Sequence, residues 1–277
     1  MGKRPIRNIR AFTTVELMVV ISITAVMMAV MLPALGRVRG KAKAVVCASN
    51  LRQLGFAFAG YADDHDGFAM PTKGQTDQYW WGRITDEGIY HKEGFVWPYL
   101  ASELKENSVY ECPQQRFGSY GLQGKPPGEQ DSKKWITSTY GYNGYYLCPP
   151  HSGWEFDTII RNRPWQKITT VISPKEVFAF ADTLIDLNGQ IQNMALLDPP
   201  KLYPVAGGEW SKNMSPTTCF RHNDKTNVVF VDGHCETMGL EGGEYISSGA
   251  KIGSVGLENS PHYVPDWKQW PVSGRRR

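Results

Sequence analysis

Two groups of side chains have the types and spacing to do chemistry. His222, Asp224, Asp232 and His234 all lie in RHNDKTNVVFVDGHCETM, and Asp182 closes a separate apolar run, VFAFAD. Imidazole nitrogens and carboxylate oxygens at strand ends form metal centres and general acid–base pairs. A plainer reading takes precedence. Asp232-Gly233 is a favoured turn dipeptide, and His222 can bond to backbone or to Asp182 across a sheet. The second group is Asp63, Asp64 and Asp66, set around His65. Three carboxylates at a helix C-terminus oppose its dipole, so something compensates them. Calcium accepts oxygen ligands, but the spacing departs from an EF-hand loop, and nearby cations or hydration are simpler. No cofactor is required by the sequence; calcium is the candidate to test.

Aromatic phrases offer a different chemistry. YWWG (Tyr79 to Gly82) and YGYNGYY could stack on sugars or on a partner protein, which makes Trp80 and Trp81 candidate ligand-facing residues. Core packing is the commoner use of such rings. There is no GxSxG, Walker A, HExxH or Rossmann glycine fingerprint and no recognisable Ser/His/Asp order, so no enzyme is expected. The five cysteines (Cys47, Cys112, Cys148, Cys219, Cys235) include no CxxC pair, which argues against zinc-ribbon and thioredoxin-type sites. They are compatible with one or two disulfides if the domain is exported, the odd number leaves at least one thiol free or intermolecular, and spacing does not set the connectivity. Cys112 with Cys47 and Cys112 with Cys148 both stand as pairings.

The element that must carry these groups begins at the N-terminus. From Phe12 to Leu32 run 21 residues in which Glu16 is the one charge. A helix of that length rises about 31 Å, enough for a hydrocarbon core of about 30 Å. Four basic residues precede it (Lys3, Arg4, Arg7, Arg10) and four follow (Arg37, Arg39, Lys41, Lys43), so flanking charge alone does not set its orientation. The second cluster is placed to meet lipid headgroups or to solvate the helix. A cleaved secretory signal would have a shorter apolar region. Here helical periodicity continues through Leu51, Leu54, Phe58 and Tyr61, with Val38, Ala42 and Val45 extending the stripe backwards. The spacing predicts one helix from about Phe12 to about Asp64, bent near Pro33 and stopped by Gly67.

Ala11-Phe12-Thr13-Thr14-Val15-Glu16, after a basic leader and before an apolar helix, resembles the signal of type IV pilins and type II secretion pseudopilins. The resemblance implies cleavage by a prepilin peptidase between Ala11 and Phe12 and N-methylation of the new amine. It also implies that Glu16, fifth from Phe12, pairs with that amine on a neighbouring subunit, and that Pro33 sits at the family's helix bend. Ala11 departs from the glycine usual before the cut, and Thr14 stands where a larger aliphatic is commoner. VCASNLRQLGFAFAGYADDHDGFAMP and the H-X9-DG spacing from His222 to Asp232-Gly233 resemble a subgroup with a prepilin-type "processing-associated" domain. YECPQ, STYGYNGYYL and ISPKEVFAFADT lie between them in the same order.

Around these phrases the chain is read as α+β. Residues 1–11 form a cytoplasmic leader, 12–32 a transmembrane half-helix and 33–66 an amphipathic half-helix. Residues 67–258 form an antiparallel β-rich domain and 259–277 a Pro-rich basic tail, extended or disordered. Strands are expected over Val177 to Ala181 and Asn227 to Val231, the latter turning at a two-residue Asp232-Gly233 loop into His234 to Met238. Tyr140 to Leu147 fits a strand or a stacked loop, and 72–94 and 121–134 read as loops. The resemblance implies an inner-membrane, single-pass protein with a periplasmic or extracellular domain. Its partners would be the peptidase, other pilin or pseudopilin subunits, and indirectly a platform protein and ATPase. A net charge of +3 gives no argument for nucleic acid. Two other classes stay open: an anchored surface protein that binds polysaccharide or a partner without polymerising, and a metal-dependent hydrolase on the same anchor.

Overall fold

The computed structural model describes residues 13–74, 76–100, 102–120, 137–149, 164–204 and 210–266. Helix α1 spans Thr14–Asp64 with Pro33 inside it. Its start is a capping box: the Glu16 amide donates to Thr13 Oγ1 (3.2 Å), and Glu16 Oε2 accepts from the Thr13 amide (2.9 Å) and hydroxyl (2.8 Å). Its end is a Schellman-type closure in which the Gly67 amide bonds to Ala62 O (2.8 Å). The left-handed residue of that closure is Asp66 (φ 52), followed by Gly67 (φ 80), so the stop involves both.

The chain falls into two units, residues 1–42 and 43–277. In the first, every described residue from Thr13 to Arg39 is exposed, including Val15, Leu17, Ile21, Val26, Met28 and Leu32. This helix is long and apolar enough to cross a membrane. The second unit holds the globular fold. The predicted stripe Leu51, Leu54, Phe58 and Tyr61 is buried there, but it begins at Cys47. Val38 and Val45 are 61% and 70% exposed, so the backward extension of the stripe does not pack.

After α1 the strands β1 (Gln78–Tyr79), β2 (Gly82–Thr85) and β3 (Gly88–Tyr90) make a small antiparallel sheet, followed by the single turn α2 (Trp97–Leu100). Residues 72–94 are therefore only partly loop. Strand β4 (Tyr140–Tyr142) runs into the turn α3 (Gly144–Leu147), and β5 is Phe178–Asp182. Next come two ribbons, β6 (Ile185–Leu187) with β7 (Gln190–Gln192) and β8 (Lys201–Pro204) with β9 (Trp210–Lys212). The chain then forms β10 (Thr218–Cys219), β11 (Thr226–Phe230), β12 (Cys235–Met238), β13 (Tyr245–Ser247) and β14 (Ile252–Gly253).

The central sheet has the order β12-β11-β5-β4, all antiparallel. Its two inner strands, TNVVF and FAFAD, are buried at every position because both faces are covered, which is why they read as near-continuous apolar runs. One face takes α1. Phe58 lies 5.8 Å from Tyr142 and 6.1 Å from Phe180, ring centre to ring centre. Gly55 lets the helix come close, since a Cβ there would meet Val229 Cγ2 at 2.9 Å. The other face packs Phe178, Val228 and Phe230 against Phe220, Val255 and Tyr263. Tyr263 comes from the segment read as tail. Asn259, Tyr263 and Val264 are buried, so the domain extends past 258 to at least Asp266, because its second face needs that cover.

Candidate functional site

His222 and Asp182 meet on the helix-facing side of the central sheet. Asp182 is the last residue of β5 and points the same way as Phe180, towards α1. His222 precedes a turn in which Asn223 (φ 54) and Asp224 (φ 60) are both left-handed, the backbone of a type I′ turn, and the His222 amide bonds to Lys225 O (3.0 Å). That turn brings His222 Nε2 to 3.2 Å from Asp182 Oδ2.

Two cysteines complete the group, and spacing gave no sign of them. Cys47 Sγ, on α1, is 3.3 Å from Asp182 Oδ1, and Cys112 Sγ is 3.3 Å from His222 Nε2. Cys112 is placed by its neighbours: its amide donates to Thr139 Oγ1 (2.7 Å), and Asn50 Nδ2, one turn along α1 from Cys47, donates to Glu111 O (2.9 Å). Cys47, Cys112 and Asp182 have no solvent exposure and His222 has 6%. One donor atom from each lies within 4.8 Å of the other three, and among the described residues no other group of metal-type ligands converges so closely. All five cysteines are free thiols, so neither Cys112 with Cys47 nor Cys112 with Cys148 forms a disulfide in this structure.

The charges here are buried and mutually supported. Asp182 also accepts the Asn227 amide (3.0 Å), and Arg221 Nε stands 3.7 Å from Asp182 Oδ1. Arg221 is held by Gln115 Oε1 (2.7 Å) and Thr183 O (2.6 Å). Burial alone would raise the Asp182 pKa, but the hydrogen bond from His222 and the Arg221 charge hold it below the usual carboxylate range. Burial pushes the Cys47 thiol well up. Against burial, hydrogen bonds from Cys47 and His222 bring Cys112 down to about 6, and the bond to Asp182 raises His222 to about 9.

Asp232, His234 and Asp224 stand apart from this group. Asp232 and His234 lie beyond the far end of β11 from His222 and pair with each other (Oδ1 to Nδ1, 2.6 Å), half-exposed. The loop is wider than two residues. The Phe230 amide donates to His234 O, the Gly233 amide to Phe230 O, and Gly233 is left-handed (φ 89), as in a turn with a G1 bulge. The nine-residue spacing from His222 to Asp232-Gly233 is thus one turn, one strand and the next turn. Asp224 bonds to Lys251 (2.8 Å) and Tyr245 (3.0 Å).

Asp64 accepts the Tyr99 hydroxyl (3.0 Å), while Asp63 is exposed and Asp66 serves the helix closure. These three carboxylates do not gather as a ligand set. Trp80 and Trp81, the candidate ligand-facing aromatics, are 1% and 3% exposed. Trp80 Nε1 donates to Ala195 O (2.7 Å), so these rings are packed into the core and not displayed at the surface. Glu16 caps α1, and Pro33 lies within the helix; Ala11 and Phe12 fall outside the described residues, as do 121–134. No protein-family model matches the chain, and searches of curated proteins and of solved structures give no match either.

Proposed function

We propose that the chain is a pilin-like structural subunit, anchored by α1 and assembled through it. The observation that carries this reading is the division of one 51-residue helix. Its C-terminal part is core of the globular domain, whereas its N-terminal part is apolar and exposed on every side, with Glu16 as its one acid. An apolar surface of that extent needs lipid or other copies of the helix to cover it. Assembly exchanges the first cover for the second. The carboxylate is costly in either environment without a partner. It caps its own helix at Thr13, one residue from Phe12, so cleavage between Ala11 and Phe12 would create an amine next to it. A neighbouring subunit's amine would then supply the charge that a capping bond lacks.

On this reading the leader is removed by a prepilin peptidase in the inner membrane. The domain is then periplasmic or extracellular, and a platform protein and ATPase drive polymerisation into a pilus or type II secretion pseudopilus. No catalytic role is proposed. The test is fractionation of wild-type chain in its host: subunits should appear in extractable filaments as well as in the membrane. Purely monomeric membrane-bound protein would favour a surface domain on an anchor.

A further inference from the structure

The contacts of His222 do not fit a catalytic relay. In a Cys–His–Asp relay the thiol and the carboxylate take opposite nitrogens of the ring. Here Cys112 Sγ and Asp182 Oδ2 both address Nε2, at 3.3 and 3.2 Å, while Nδ1 is buried with no protein partner among the described residues. A relay needs both ring nitrogens, and here a single Nε2 is shared between the thiol and the carboxylate. Cys47 Sγ approaches the same carboxylate from α1, at 3.3 Å from Oδ1 and 3.5 Å from Oδ2. The four donor atoms therefore converge on a common centre rather than along a chain.

We propose that Cys47 Sγ, Cys112 Sγ, a carboxylate oxygen of Asp182 and His222 Nε2 bind one zinc ion. In a tetrahedral zinc site, bonds of about 2.0–2.3 Å place the ligand atoms roughly 3.3–3.8 Å apart. Three of the six edges, Cys47–Asp182, Asp182–His222 and His222–Cys112, measure 3.2–3.5 Å, and all six lie within 4.8 Å, so a small inward shift of the side chains closes the tetrahedron. Thiolate sulfur with imidazole selects zinc over calcium or magnesium. Charge also balances: two thiolates, one carboxylate, a neutral imidazole and Zn²⁺ leave a single negative charge, and Arg221 beside Asp182 cancels it. Four protein ligands in a fully buried pocket leave no position for water or substrate, so the site is structural and not hydrolytic. It fastens α1, the segment before β4, β5 and the turn before β11 to one point.

The test uses the full-length chain purified in detergent without chelator. Metal content is measured first; the metal is then stripped with a chelator and replaced by cobalt(II). The expected results are one zinc per chain, two thiols shielded from alkylation until the chelator is added, and a thiolate-to-cobalt charge-transfer band with intense tetrahedral visible bands. Cys47→Ser and Cys112→Ser should each abolish that band. Cys235→Ser, which removes a part-exposed thiol bonded to Ala48 O, should keep it. The wild-type spectrum does not depend on any variant folding. A metal-free chain that takes up no cobalt overturns the proposal. So does cobalt bound without a charge-transfer band, or a Cys47–Cys112 disulfide in the unreduced peptide map.

Discussion

Replacing Glu16 with alanine should move insertion and assembly in opposite directions. The carboxylate is the third residue of α1. A rise of 1.5 Å per residue puts it only about 3 Å into the helix, so it bears a fraction of the roughly 2.5–3.5 kcal/mol that an acid costs at a span's centre. Glu16→Ala therefore inserts at least as well as wild type. It loses the capping box with Thr13, worth about 1 kcal/mol at a helix end, and the domain of residues 43–277 is untouched. Assembly is the sensitive quantity. A carboxylate–ammonium pair at about 4 Å with an effective dielectric near 20 is worth about 4 kcal/mol before desolvation. Its loss raises the concentration needed for polymerisation by up to about a thousandfold. The assay compares membrane and filament fractions for wild type, Glu16→Ala and Thr13→Ala. Thr13→Ala removes the hydroxyl cap but keeps the carboxylate, so it should still assemble. Normal assembly of Glu16→Ala would refute the reasoning, as would an equal defect in Thr13→Ala, which would make capping the whole function of the acid.

Three further outcomes concern the globular domain. Burial pushes the Asp198 carboxyl up to about 8, against a bond from Tyr145, so the folded state keeps a proton that the unfolded chain releases. Stability should fall from about pH 5 to 8, by up to about 1.4 kcal/mol per pH unit, and Asp198→Asn should remove that component from urea midpoints measured across the range. A slope unchanged in the variant would contradict this. Gly144→Ala should destabilise by about 2–5 kcal/mol in denaturant unfolding, through overpacking plus a strained buried hydrogen bond. Its new Cβ would sit 2.8 Å from Thr72 Cβ and displace the hydroxyl that donates to Cys148 O; a shift under about 0.5 kcal/mol would mean the neighbour yields freely. Trp80→Ala should cost about 3–5 kcal/mol of stability because the indole is buried, with any glycan retention lost only as the fold is lost. Selective loss of retention at full stability would reopen the ligand reading.

What the sequence made legible was periodic. Helix α1 and the strands β5 and β11 follow from spacing and composition because their burial is set by neighbours of known geometry. The buried stripe starts later than its periodicity does, since Val38 and Val45 have the right spacing but stay exposed. The aromatic phrase at Trp80 and Trp81 looks the same whether it faces solvent or core. The prolines around Tyr263 make its segment read as a tail, although the second face of the sheet requires its ring. The cluster was half visible. His222 and Asp182 could be matched by strand ends, but Cys47 and Cys112 lie 135 and 110 residues from their partners. Local spacing carries no information about such a meeting, which the register of β5 with β11 and the docking of α1 create.

Mass spectrometry of the N-terminal peptide from the membrane-bound protein tests the central claim most directly. The account predicts a chain beginning at N-methylated Phe12, which would set a charged amine beside Glu16 for a neighbouring subunit to use. A chain still beginning at Met1 or Gly2 would contradict it, leaving Glu16 as a helix cap on an anchored surface domain.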